Sequence, residues 1–165
     1  MAISQEHIRE IERATIGQAE NSLWHEYRKN RLTASQFGRA LTAYNALRVY
    51  KSPKKLDEMR RGMVTSGSFT NQAMEWGTKH EATAVAEYVK HSGNKVIPSG
   101  IWVFPEGDLA ASPDGIVVDA NDATKYLGLL EIKCPYKCSR EQIRWCRLAK
   151  VSSIFGCLQK IATDT

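Results

Sequence analysis

Ser112-Pro113-Asp114-Gly115-Ile116 and Leu129-Leu130-Glu131-Ile132-Lys133 are the stretches on which the reading of this 165-residue chain turns. Successive side chains of a strand point to opposite faces, so residues i and i+2 project together. Leu130 and Ile132 therefore face a core, while Glu131 and Lys133 share the other face. Alone, that pair reads equally well as an exposed ion pair, which contributes little. Asp114 changes the reading. It lies 17 residues before Glu131, and Asp119-Ala120-Asn121-Asp122 between them reads as a turn, so a hairpin brings the two carboxylates near each other. Paired carboxylates repel unless a cation sits between them. Hard oxygen ligands of this kind suit Mg²⁺ or Mn²⁺, and the backbone carbonyl of Ile132 is a candidate further ligand. Hydrolysis of a phosphodiester needs a cation to polarise the phosphate and a positive group near the attacking water. Lys133 is suited to be that group.

A third carboxylate is offered by Gly77-Thr78-Lys79-His80-Glu81. Gly77 and Glu81 are one helical turn apart and share a face. The expectation is that Gly77 admits a close neighbour and Glu81 reaches the metal site directly or through water. The plain alternative is a solvent-facing glutamate.

Outward from these stretches, helix and strand signals alternate. Residues 4–20 read as a helix capped by Ser4, with Ile8, Ile11 and Ile16 near helical spacing. Asn21 and Ser22 open a short segment with Trp24, Tyr27 and Arg28, and Thr33 is a suitable cap for a helix carrying Phe37 and Leu41. Tyr50 to Gly67 is basic and reads as a solvated helix with mobile flanks. The strongest helix runs from Thr70 to His91, stopped by Ser92-Gly93-Asn94. Extended runs follow at Lys95 to Ile97, Ile101 to Phe104, Leu109 to Val118 and Tyr126 to Cys134, with Pro135 as terminator and a helix over 139–150. No repeat or linker divides the chain. The order predicts an α/β or α+β domain over 1–165 with one sheet.

Composition sets wider bounds. A net charge of +5 and a pI near 9.1 favour polyanionic partners. No stretch approaches the roughly 20 apolar residues that cross a membrane, and the early acidic residues Glu6, Glu10 and Glu12 do not suit a secretory signal. An intracellular protein is expected. Cys134, Cys138, Cys146 and Cys157 lack the paired C-x2-C spacing of a common zinc site. An iron–sulfur cluster would need four well-placed thiolates, for which the spacing gives no specific support, so reduced structural thiols are expected.

Taken in order, these motifs resemble a known family. Pro113-Asp114 with Glu131-Ile132-Lys133 resembles the PD-(D/E)XK nuclease superfamily, and the preceding G-x-x-x-E resembles the extra acidic motif of its RecB-like branch. Trp24-His25 and Arg28, then Leu32-Thr33-Ala34-Ser35, resemble the N-terminal motif of the lambda exonuclease and YqaJ-like viral recombinase (alkaline exonuclease) group. The resemblance runs from about Asn21 to Pro135. It implies a restriction-endonuclease-like core, a central mixed sheet flanked by helices. It implies that Asp114 and Glu131, with Glu81 nearby, bind Mg²⁺ ions (Mn²⁺ substituting), and that Lys133 assists the attacking water. Arg28, Ser35 and Ser112 would hold the terminal 5′-phosphate of DNA, a role that suits the bidentate fork of arginine and the neutral donors of hydroxyls.

The function so implied is a Mg²⁺-dependent exodeoxyribonuclease working 5′-to-3′ on duplex ends, in recombination, repair or mobile-element and viral DNA processing. It would sit in the nucleus of a eukaryote, or in the cytoplasm of a bacterium or phage host. The expected partners are DNA ends, a second copy of the chain (some members are ring-shaped trimers) and a single-strand annealing protein, with no membrane. One departure matters. The group carries a later helix with a His, tyrosines and a Gln-x-Gln pattern, and here Gln159 is isolated and the chain stops at Thr165. A domain truncated before that helix is expected. The alternative function is thus an incomplete, weakly catalytic nuclease acting as a DNA-end or metal-binding module. An unrelated basic domain with accidental motifs is the remaining reading.

Overall fold

A computed structural model describes residues 2–51, 53–64, 71–134 and 136. The expected helix at 139–150 lies outside them, as do Cys138, Cys146, Cys157 and Gln159. The chain forms two compact units, each built from two stretches of sequence: Met1–Gly67 with Ser99–Ser112, and Ser68–Pro98 with Pro113–Thr165.

The first unit contains helices α1 (Gln5–Ala14), α2 (Ser22–Arg28), α3 (Phe37–Tyr50) and α4 (Lys54–Val64). Ser4 caps α1 by accepting from the His7 N–H at 3.2 Å. This helix is shorter than expected. It ends at Thr15, because Thr15 turns its hydroxyl back onto the Ile11 carbonyl at 2.7 Å and Gly17 then takes a left-handed φ of 95°. Asn21 caps α2 through the Leu23 N–H at 3.0 Å. Thr33 begins the next helical segment, its N–H donating to Gln36 Oε1 at 3.4 Å.

Three short strands make the sheet of this unit. β1 (Leu32–Thr33) runs parallel to β4 (Leu109–Ala111), and β3 (Trp102–Val103) pairs antiparallel on the other side of β4. Ile11, Ile101, Val103 and Ala110 form the core, with Ile3, Trp24 and Tyr27 packed against it. The crossing of α1 by the 99–101 segment is held by buried polar groups. Glu12 Oε1 accepts from Ser99 Oγ at 3.0 Å and from the Gly100 N–H at 2.9 Å, while Thr15 Oγ1 accepts from the Ile101 N–H at 2.8 Å. A buried carboxylate is tolerated only when its oxygens are so partnered. Glycine is required at position 100, since a Cβ there would lie 2.0 Å from the Glu12 carbonyl oxygen.

The second unit packs α5 (Gln72–Ser92) with strands β2 (Lys95–Ile97), β5 (Gly115–Val118) and β6 (Tyr126–Leu130). α5 is capped by Asn71 through the Met74 N–H at 3.0 Å and stopped by Gly93 at φ 71°. The three strands form an antiparallel sheet in the order β2-β5-β6, with an irregularity at Val117/Val118. Val117, Leu130 and Ile132 form its core, covered by Ala84, Val85 and Tyr88 of α5 together with Val96 and Cys134.

The α+β class stands as expected, but among the described residues the single central sheet is corrected to two three-stranded sheets, one in each unit. The expected run Leu109 to Val118 is divided by Ser112-Pro113-Asp114 into β4 and β5, which belong to different sheets. Pro113 has no N–H to offer a ladder, so a break at this point is where backbone chemistry allows one.

Candidate active site

The hairpin of β5 and β6 builds the first cluster. Its register sets Gly115 opposite Leu130, so Asp114 and Glu131 stand just beyond the paired ends of the two strands. The Asp114 N–H donates to the Leu130 carbonyl at 2.9 Å, extending the ladder by one bond. The N–H of Ile132 returns across the hairpin to Asp114 Oδ2, and Lys133 Nζ donates to Glu131 Oε1. Leu130 and Ile132 are buried while Glu131 is half-buried and Lys133 exposed, the alternation expected of an extended segment with one apolar face.

The electrostatics of this cluster are unbalanced. Burial pushes the Asp114 carboxyl up to about 6, and the charges of Glu131 and Glu81 push the same way. The Ile132 N–H and the Lys133 ammonium oppose them without cancelling them. The Lys133 ammonium is held above its ordinary range, chiefly by its hydrogen bond to Glu131. Asp114, Glu131 and Lys133 are thus brought together. Ile132 enters through its backbone.

Glu81 lies exposed on α5. Its charge acts on Asp114, yet among the described residues no three acidic, histidine or cysteine side chains stand close enough to hold one ion. Gly77 does not have the tight neighbour expected of it among the described residues, where a Cβ would meet nothing within 4 Å.

A second cluster belongs to the other unit. Trp24 and Arg28 are four residues apart on α2 and so share its face. The Arg28 guanidinium carbon lies 4.2 Å from the centre of the Trp24 ring, and Arg28 Nη2 donates to Ser35 Oγ at 3.4 Å. Burial lowers the Arg28 pKa from its ordinary value. Trp24 Nε1 donates to Ser112 Oγ at 2.8 Å. The three residues expected at a terminal phosphate therefore do converge. The member that sequence reasoning left without a role is Trp24, which joins Arg28 to Ser112; its i,i+4 spacing from Arg28 was the available signal.

Comparison with known proteins bears on both clusters. Residues 23–155 match the YqaJ-like viral recombinase domain family. Among solved structures, the chain is similar to an alkaline exonuclease (LHK-Exo) from Laribacter hongkongensis, at 30% identity and a TM-score of 0.49. It is also similar to LHK-Exo in complex with dAMP, at 30% identity and a TM-score of 0.51. Each alignment covers 70% of this chain and 54% of the other, so the chain spans about half the length of these proteins. No curated protein sequence matches it. The family match covers both the segment from Trp24 to Ser35 and the pair Asp114 and Glu131, and the chain belongs to the YqaJ-like viral recombinase domain family.

Proposed function

We propose that this chain carries the chemistry of a metal-dependent exodeoxyribonuclease, hydrolysing DNA phosphodiester bonds 5′-to-3′ from duplex ends during recombination or viral DNA processing. The observation that carries the reading is the convergence of Asp114, Glu131 and Lys133 at one hairpin end, with negative charge in excess. The donor set suits a hard divalent cation of the Mg²⁺ class, which Mn²⁺ can replace: two carboxylates that repel each other and an acid whose ionisation is opposed until positive charge arrives. Such a cation, when bound, polarises the phosphate and acidifies a water.

The remaining roles fall to the chain itself. Asp114 and Glu131 would hold the ion. The Ile132 N–H fixes one oxygen of Asp114, the other would be left to ligate, and the Ile132 carbonyl would be a further oxygen donor. Glu81 adds negative charge from α5. Lys133 stays protonated at neutral pH and so works as a fixed cation, stabilising charge on the phosphate. Water adds to phosphorus as the bond to the leaving oxygen breaks; the water gives up one proton and the leaving oxygen takes one up. Arg28, Ser35 and Ser112 hold the terminal phosphate through charge-assisted and neutral donors. The dAMP in one similar structure supports this reading, since a deoxynucleoside monophosphate is the class of product an exonuclease releases.

A second reading is a weakly catalytic DNA-end or metal-binding module. It is favoured by the position of Glu81, which completes no three-carboxylate group among the described residues. One experiment separates the two. Linear 5′-phosphorylated duplex DNA is incubated with Mg²⁺ or with EDTA, beside a closed circular control. Mg²⁺-dependent loss of the linear form alone is the expected result. Retained DNA binding without cleavage would leave the binding module, and neither binding nor cleavage would overturn both readings.

A further inference from the structure

The side chain that links the phosphate-facing residues is itself not one that an anion would select. Trp24 carries no charge, and its indole N–H can only donate. That restriction gives the bond to Ser112 a fixed direction: Nε1–H donates and Ser112 Oγ accepts, at 2.8 Å. A serine hydroxyl has one proton and two lone pairs. With a lone pair engaged by Trp24, and with no acceptor for Ser112 among the described residues, the hydroxyl proton is left to donate elsewhere.

The same ring acts on Arg28 through its face. The guanidinium carbon lies 4.2 Å from the ring centre, and no carboxylate pairs with Arg28 among the described residues. A ring face attracts the cation without accepting the in-plane N–H groups. Of these, one reaches Ser35 at 3.4 Å, a long bond, and the others remain available. A carboxylate in the same place would hold Arg28 but consume those donors and cancel its charge. Ser35 in turn is fixed by Thr33, whose Oγ1 lies 3.1 Å from Ser35 Oγ. Trp24 is half-buried and packs on the Ile11–Ile101–Val103–Ala110 core, so its position is set by the unit's interior.

We propose that Trp24 is the positioning residue of this cluster, orienting Ser112 with its N–H and Arg28 with its ring face so that both present donors to a terminal phosphate. The inference rests on the proposed role of Arg28, Ser35 and Ser112. Trp24 does not touch the phosphate. It sets the preference for a phosphorylated end by holding the residues that do.

The test is the ratio of dissociation constants for linear duplex DNA bearing 5′-hydroxyl or 5′-phosphate ends, read by fluorescence anisotropy in EDTA with the whole chain. Trp24→Phe keeps a ring face for Arg28 and removes the N–H. The preference for phosphate is expected to fall about fivefold, as for the loss of one hydrogen bond. Ser112→Ala removes the donor itself and is expected to lose at least as much, and Trp24→Phe combined with Ser112→Ala to fall no further than Ser112→Ala alone, because the Trp24 N–H acts only through Ser112. Trp24→Leu removes both contacts and is expected to lose more of the preference than Trp24→Phe. Arg28→Ala is the control for the underlying reading. If it leaves the ratio unchanged, the phosphate role itself fails. If it abolishes the preference while Trp24→Phe retains it in full, the phosphate role stands and the role of Trp24 is overturned. Independent, additive losses from Trp24→Phe and Ser112→Ala would also overturn it. Should Trp24→Leu fail to fold, Trp24→Phe decides the matter, with its thermal midpoint measured alongside.

Discussion

Glu12 and Asp114 are both carboxylates removed in part from water, and the two units treat them in opposite ways. In the first unit Glu12 is buried, and one of its oxygens receives both the Ser99 hydroxyl and the Gly100 N–H. So tied to the 99–100 segment, it works as part of the framework. In the second unit burial raises the Asp114 pKa to about 6, and Glu131 and Glu81 push the same way against the one backbone N–H it receives. The cluster of the first unit offers donors, on Arg28 and Ser112, whereas that of the second sets two carboxylates against the single ammonium of Lys133. A satisfied carboxylate is architecture, whereas a frustrated one calls for a cation.

That contrast can be broken or sharpened by substitution. The largest expected effect is at Lys133, the cation that accompanies the frustrated pair. Lys133→Ala should lower the cleavage rate by about 100-fold or more while leaving fold and Mn²⁺ binding nearly intact. A variant as active as the parent, followed on linear duplex DNA, would remove Lys133 from the mechanism. Next comes the framework of the first unit. Gly100→Ala sets a methyl 2.0 Å from the Glu12 carbonyl oxygen, against backbone that cannot yield cheaply. A loss of roughly 3 kcal/mol in urea unfolding is expected, comparable to severe overpacking; a loss near zero would mean that the α1 crossing is loose.

The smallest effect concerns the pH dependence of stability in the absence of metal. The folded-state pKa of Asp114 lies above the ordinary carboxylate value, so the folded form holds the proton more tightly than the unfolded one. Asp114 therefore adds stability at low pH, which is lost as pH rises from about 3.8 to about 6. Half-exposure keeps this contribution small. Thermal midpoints of the parent should fall over that window relative to Asp114→Asn, in which this contribution is absent. Parallel curves would deny the frustration on which the contrast depends.

Much of the arrangement was legible in the residues, and the exceptions have physical causes. The convergence of Asp114 with Glu131 and Lys133 follows from strand alternation and a hairpin, both of which are local. The caps at Ser4 and Thr33 were equally local, and Gly93 ends α5 close to the expected stop. The strongest helix starts at Gln72, where Asn71 caps it by taking the Met74 N–H on its side chain. The division of one expected sheet into two was not legible, although Pro113 marked the point of division. Strand partners are chosen by tertiary packing, and no spacing encodes them. For the same reason helical spacing could put Gly77 and Glu81 on one face but not say how near that face comes to Asp114. Trp24 was visible as a motif residue, while its link to Ser112 spans 88 positions of sequence.

The claim at the centre of this account is that Asp114 and Glu131 form a cation site. Calorimetric titration of Mn²⁺ into the parent chain and Asp114→Asn, at pH 5 and pH 8, tests it most directly. Binding requires the ionised carboxylate, so the parent should bind about tenfold more weakly at pH 5, one unit below the Asp114 pKa. Asp114→Asn should bind about tenfold or more weakly than the parent at pH 8, with a smaller difference between the two pH values. Equal affinity of parent and variant at pH 8 would contradict the assignment of Asp114 as a metal ligand, and with it the reading of this hairpin end as the active site.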